Sequence, residues 1–201
     1  MTLVFGYGSL IDTGSRTRTV PSATQAWPIE MTGLKRDWNA RTGPGEIATT
    51  FLGAYEHSHA NVNGVAFFAN DSEVQSLIRR ETGYVPTHFP LSRVHWWTSP
   101  PSALPESILI FCFASKRRPS RSYPIIQSYV DICLSGCLAV DASLQSSDSE
   151  FSRRFLRGTS GWSKHWVNDR RRPRVSYRHS PQTSKIDELI SSELPAEIQV
   201  M

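Results

Sequence analysis

The sequence predicts an α+β domain: a small curved or barrel-like mixed sheet with helices packed against it. Three observations lead there. β-Branched and aromatic runs concentrate before residue 114, helical spacing dominates after it, and no internal repeat or linker divides the 201 residues. That length suits one domain with a well-buried core. We place the domain at 1–181 and a tail with one short helix at 182–201.

The first strand is Leu3-Val4-Phe5, ending in the tight turn Gly6-Tyr7-Gly8-Ser9-Leu10. The stretch Thr13 to Pro28, rich in Ser, Thr, Arg and Pro, reads as a long surface loop. Ile47 to Tyr55 and Val62 to Phe68 read as strands. Asn70 to Tyr84 is a compact helix, with Asn70/Glu73 or Ser72/Gln75 as a capping box and Gly83 and Pro86 as its stop. Arg93 to Thr98 and the strongly apolar Ser107 to Phe113 are further strands. Pro124 to Val140 has helical apolar spacing, with Pro124 in the first turn. Ser147 to Leu156, with Ser147 and Glu150 as a capping box, and Ile186 to Leu194 are shorter helices.

Composition sets bounds on function. No apolar run approaches the length of a membrane span, and polar residues resume at Ser9, too early for a secretory leader. Cys112, Cys133 and Cys137 form no Cys-x-x-Cys, which fits reduced thiols and a cytoplasmic protein. A net charge of +4 neither requires nor excludes an anionic partner.

Two features carry chemistry. The glycines of the opening turn permit backbone angles that other residues avoid, so successive N–H groups can face one concavity and hold a carboxylate or oxyanion. The helix beginning at Asn70 has an apolar stripe of Val74, Leu77 and Ile78, whose next position is Glu81. A carboxylate in the last helical turn on the core side is disfavoured by the helix dipole and by burial. Both raise its pKa, which suits a group that takes up and returns a proton near neutrality. The structural alternative is a rim glutamate paired with Arg79 or Arg80.

Together these residues resemble the gamma-glutamylcyclotransferases, including their ChaC-type glutathione-degrading branch. Phe5-Gly6-Tyr7-Gly8-Ser9-Leu10-Ile11 is similar to the family's N-terminal signature, and Arg80-Glu81-Thr82-Gly83-Tyr84 to the segment carrying its catalytic glutamate. Gly33 to Trp38 resembles the second strand region and Val62 to Phe68 the strand before the catalytic helix. Tyr129, seven residues before Gly136, resembles a pocket tyrosine. Tyr123 is its competitor, and the Gly136 spacing favours Tyr129. The chain departs from the ChaC type at Asp12, usually Trp there, and from the mammalian cytosolic type at Leu10, Asn there. These departures leave the choice of γ-glutamyl substrate open.

The resemblance implies a metal-free, cofactor-free lyase-type cyclotransferase. In this reading the α-amine of a γ-glutamyl group attacks its own side-chain carbonyl and releases 5-oxoproline. Glu81 would be the general base and then the acid. Gly6, Tyr7, Gly8, Ser9, Leu10 and Tyr129 would bind the substrate. The expected partner is a small γ-glutamyl compound, with no membrane partner; oligomeric state is not legible.

Other features point elsewhere. His57 and His59 lack companions at metal-ligand spacing. Cys133 and Cys137, four apart, read as small packing residues. Gly158 to Gly161 lacks the spacing of a serine nucleophile turn. A basic and aromatic stretch spans 162–178: Trp162, Lys164, His165, Trp166, Arg170, Arg171, Arg172, Arg174 and Arg178. It offers a rival nucleic-acid-binding reading, weighed against tryptophans that anchor a solvated segment or a wall recognising an anionic substrate end. A non-catalytic ligand binder on the same fold is the other alternative.

Overall fold

The computed structural model describes residues 1–41, 48–145, 149–173 and 182–198. The elements of the main sheet are β1 (Thr2–Gly6), β2 (Trp27–Arg41), β3 (Thr50–Ala69), β4 (Val85–Pro90), β5 (Val94–Trp96), β6 (Ser107–Cys112) and, beyond the short β7 (Ile125–Ile126), β8 (Thr159–Ser160). The sheet order is β4-β6-β1-β3-β2-β5, with β8 beside β2. Pairing is antiparallel except for β1/β6 and β2/β8. β7 pairs separately with β9 (Trp166–Val167). This mixed, curled sheet carries helices α1 (Thr13–Thr17), α2 (Asp71–Arg80), α3 (Gln127–Ser143), α4 (Glu150–Arg157) and α5 (Thr183–Glu193), so the α+β architecture follows the pattern of the sequence.

β1 ends at Gly6, where its pairing with Val65 stops. Beyond that point its two neighbours close on each other: the Phe113 amide, just past β6, donates to the Ala54 carbonyl of β3 at 2.8 Å. The sheet therefore curls over the end of β1, and the turn after Gly6 lies where the central strand has run out.

α3 is the central helix, and its apolar residues Val130, Cys133, Leu134, Cys137 and Leu138 are all buried. It packs on the short 3₁₀ turn Ser9–Ile11 and under α4. Gly136 sets that approach. A Cβ there would lie 2.4 Å from the Asp12 amide nitrogen and 2.7 Å from the Ile11 carbonyl carbon, both backbone atoms.

Several expectations need correction. Ile47 lies outside the described residues, and the strands read at Ile47 to Tyr55 and Val62 to Phe68 belong to one strand, β3. Exposed Glu56 to His59 disguised its continuity, because a register shift opposite Gly33 turns them outward. Thr13 to Pro28 is not a loop throughout. It contains α1 and wraps around buried Arg16, which donates to the carbonyls of Leu10, Ile11 and Ala23 at 2.9–3.0 Å. Pro124 precedes the helix rather than opening it, since Ile125 and Ile126 pair with β9 first. Ser147 lies outside the described residues. The amides of Phe151 and Ser152 at the start of α4 are capped instead by Asp141 of α3, at 2.8 and 3.1 Å.

Gly136→Ala tests the helix contact. The new methyl meets backbone with no flexible side chain to move aside. We expect a loss of about 1–3 kcal/mol in denaturant unfolding.

Candidate active site

α2 begins with the Asn70/Glu73 capping box: the Glu73 amide donates to Asn70 Oδ1 at 3.0 Å and the Asn70 amide to Glu73 Oε2 at 2.9 Å. The Ser22 amide and hydroxyl also donate to the Glu73 carboxylate, at 2.9 and 2.7 Å, tying the segment after α1 to this helix. Leu77 is buried, but Ile78 is exposed, so the apolar stripe is narrower than the sequence suggested. Glu81 follows Leu77 by four residues, hence on the same face. It is the C-cap, its amide still donating to the Leu77 carbonyl at 2.8 Å. Gly83 leaves the helix at φ +88°, two residues past the cap rather than one.

This ending places the Glu81 side chain, 19% exposed, in the wall of a cavity of about 390 Å³. Ser9, Arg80, Tyr84 and Tyr129 line it as well. A smaller space of about 30 Å³, on the scale of a single water, shares Ser9, Glu81, Tyr84 and Tyr129 and reaches Tyr7, Gly8 and Leu10. The structure thus brings Glu81, Tyr129 and most of the opening turn together. Gly6 lines neither space.

Neither glycine of the turn has a positive φ, but Gly8, at φ −133° and ψ −127°, lies outside the helical and extended regions. Both are required by close approach: a Cβ on Gly6 would lie 2.7 Å from Leu10 Cβ, and one on Gly8 only 3.0 Å from the Tyr129 hydroxyl. Gly8 and Gly136 together let α3 lower Tyr129 onto the turn, since seven residues are two helical turns. Tyr123 lines neither space; it lies under the guanidinium of Arg41, 4.7 Å from its ring centroid.

Arg80 contributes more than the charge pairing the sequence suggested. Its Nε is 3.3 Å from Glu81 Oε1. Its Nη atoms donate to the Ser15 carbonyl and Thr19 hydroxyl at 2.8 and 2.9 Å, and to the Ser9 and Ser15 hydroxyls at 3.1 and 2.9 Å. One guanidinium therefore joins the end of α2, the opening turn and α1. Burial raises the Glu81 carboxyl above its ordinary value, and Arg80 opposes the rise without cancelling it. Burial also pushes up the phenols of Tyr7, Tyr84 and Tyr129, which stay protonated. Tyr7 donates to the Phe111 carbonyl at 2.6 Å and Tyr84 to the Leu52 carbonyl at 2.7 Å.

Arg18 and Arg41 also line the large cavity, and the sequence did not single them out. Arg41 carries no local signal, and Arg18 sat in what read as a loop. Among the described residues, none of the basic stretch near the C-terminus lines it. Arg170 is engaged with Asp131 and Asp187 at 2.7–2.8 Å, holding its segment to α3 and α5. Trp162 and Trp166 stack at 5.3 Å, with Trp162 against buried Trp38. Arg174 and Arg178 lie outside the described residues. Cys133 is buried and its thiol pushed up to about 12, in keeping with a packing role. Among the described residues, no three His, Cys, Asp or Glu side chains gather as a metal site, and no helix is long and apolar enough to cross a membrane.

No protein-family model matches the sequence, and no curated protein does. Solved structures do match. A protein named gamma-glutamyl cyclotransferase aligns over 95% of this chain and 98% of its own, with a TM-score of 0.58 and 16% identity. An uncharacterized protein from Homo sapiens aligns over 94% and 98%, with a TM-score of 0.53 and 15% identity. The chain has a gamma-glutamyl cyclotransferase-like fold.

The Glu81 environment has a stability consequence. Its proton is held more tightly in the folded chain than at the ordinary value of 4.5. Its contribution to stability is therefore complete below that value and is lost as pH rises through the raised folded-state value. At pH 7 the ionised carboxylate opposes folding. Glu81→Gln, neutral and of the same shape, is expected to melt above the wild type at pH 7, with the advantage shrinking in acid. A variant that melts lower at pH 7 contradicts this electrostatic balance.

Proposed function

We propose that the chain is a gamma-glutamylcyclotransferase-type enzyme, cleaving a γ-glutamyl amine or peptide by intramolecular aminolysis. The observation that carries this reading is the placement of a mostly buried carboxyl of raised pKa, Glu81, in one cavity wall with the opening turn and Tyr129. The fold shared with a protein of that name supports it.

The α-ammonium of a γ-glutamyl group must lose a proton before it can attack. Glu81 accepts it, and its elevated proton affinity suits that exchange. The α-nitrogen then bonds to the γ-carbonyl carbon, closing a five-membered ring. The carbonyl oxygen takes up negative charge, which Ser9 and the backbone of the turn would receive. Ser9 Oγ accepts a hydrogen bond from Arg80, which polarises its own hydroxyl for donation. Glu81 returns its proton to the leaving nitrogen, the bond from carbon to that nitrogen breaks, the second proton of the ring nitrogen passes to the departing amine, and 5-oxoproline and an ammonium product leave. Water is not consumed. Tyr129, packed on Gly8 and 4.8 Å from the Phe51 ring centroid, shapes a pocket that folds the substrate on itself. Such orientation is worth effective molarities of ~10⁵ M or more.

A panel of γ-glutamyl amino acids, peptides and amines, assayed for 5-oxoproline, tests the proposal. Glu81→Gln should lower turnover of an accepted compound by about 10²-fold or more while its binding persists. Near-wild-type turnover by this variant would remove Glu81 from the mechanism. Binding across the panel without turnover by the wild type would favour the non-catalytic reading.

A further inference from the structure

The large cavity has an uneven charge inventory. Its lining carries one carboxylate, Glu81, and three guanidiniums, Arg18, Arg41 and Arg80. Arg80 is engaged by Glu81, Ser9, Ser15 and Thr19. Arg41 is held differently, by neutral groups. Its Nη2 donates to the Arg118 carbonyl and, at 3.4 Å, to the Ser120 hydroxyl, and its guanidinium lies over Tyr123. Its Nε is buried with no hydrogen-bond partner. Among the described residues no carboxylate pairs with it. A half-buried guanidinium fixed by neutral contacts in a cavity wall is suited to a carboxylate on a ligand.

The γ-glutamyl group itself does not account for Arg41. Its α-carboxylate is attached to the carbon that bears the attacking amine. With that amine at Glu81, the α-carboxylate is within reach of Arg80, whose Nε is 3.3 Å from Glu81 Oε1. Arg41 stands at the end of β2, on a different element from Ser9, Arg80 and Glu81. We propose that Arg41 is a specificity-determining residue: it selects γ-glutamyl compounds whose leaving amine carries a carboxylate, meaning γ-glutamyl amino acids and peptides, over uncharged γ-glutamyl alkylamines. This rests on the cyclotransferase reading of the site.

The test compares γ-glutamylalanine with γ-glutamylethylamine, which lacks the second carboxylate. The wild-type enzyme should favour the first in kcat/KM by about 30-fold or more. In Arg41→Gln that ratio should fall toward one, and in Arg41→Lys it should partly recover. Binding of both compounds to Glu81→Gln, measured by calorimetry, should follow the same order, giving a readout independent of turnover. Equal use of the two compounds by the wild type overturns the inference, as does a ratio that survives Arg41→Gln. A ratio lost only in Arg18→Gln overturns it in favour of Arg18. Failure of the cyclotransferase reading looks different: neither compound is turned over by the wild type or bound by Glu81→Gln, and the inference falls with its premise.

Discussion

Arg36 buries a full positive charge in the core beside β2, and the opening turn depends on it. Its guanidinium is fully buried and stacks 3.8 Å from the centroid of the Phe155 ring. It donates to Thr159 Oγ1, the Tyr7 carbonyl, the Asn63 carbonyl and side chain, and the Phe155 carbonyl, all at 2.7–3.1 Å. None of these acceptors is a carboxylate. Removing a charge from water costs several kcal/mol, and here neutral oxygens replace the lost hydration. Burial lowers its pKa to about 10, so it stays charged at neutral pH. One side chain of β2 thereby fixes β3, the end of α4, β8 and the turn after β1.

The bond to the Tyr7 carbonyl links this core device to the site. Arg36 holds the turn through its backbone, and Arg80 holds it through the Ser9 hydroxyl. Between these two arginines the turn has little freedom to shift relative to Glu81. The same Arg80 limits how far the Glu81 carboxyl rises. A more buried acid with no cation would remain protonated and be a poor base, and a fully paired one would bind its proton too weakly. The pairing at 3.3 Å beside mostly buried oxygens lies between these extremes.

What the sequence revealed was local or periodic. The capping box of α2, the inward position of Glu81 and the two-turn spacing from Tyr129 to Gly136 each need only a few neighbouring residues to read. What it concealed depends on distant partners. Arg36 looks like an exposed strand residue until Asn63, Phe155 and Thr159 arrive around it. Arg16 turns a polar stretch into a folded one by bonding carbonyls on either side of it. Asp141 caps a helix ten residues downstream. Arg18 and Arg41 become cavity residues only because the sheet curls. The length of β3 was hidden because Glu56 to His59 break its alternation where the register shifts.

The proposed chemistry turns on the proton affinity of one carboxyl. Carbon-13 NMR titration of glutamate-labelled protein, with the Glu81 side-chain signal assigned by its loss in Glu81→Gln, measures it directly. The expected midpoint lies above the ordinary 4.5. A midpoint at or below that value would mean that Arg80 outweighs burial and that Glu81 is a structural ion pair.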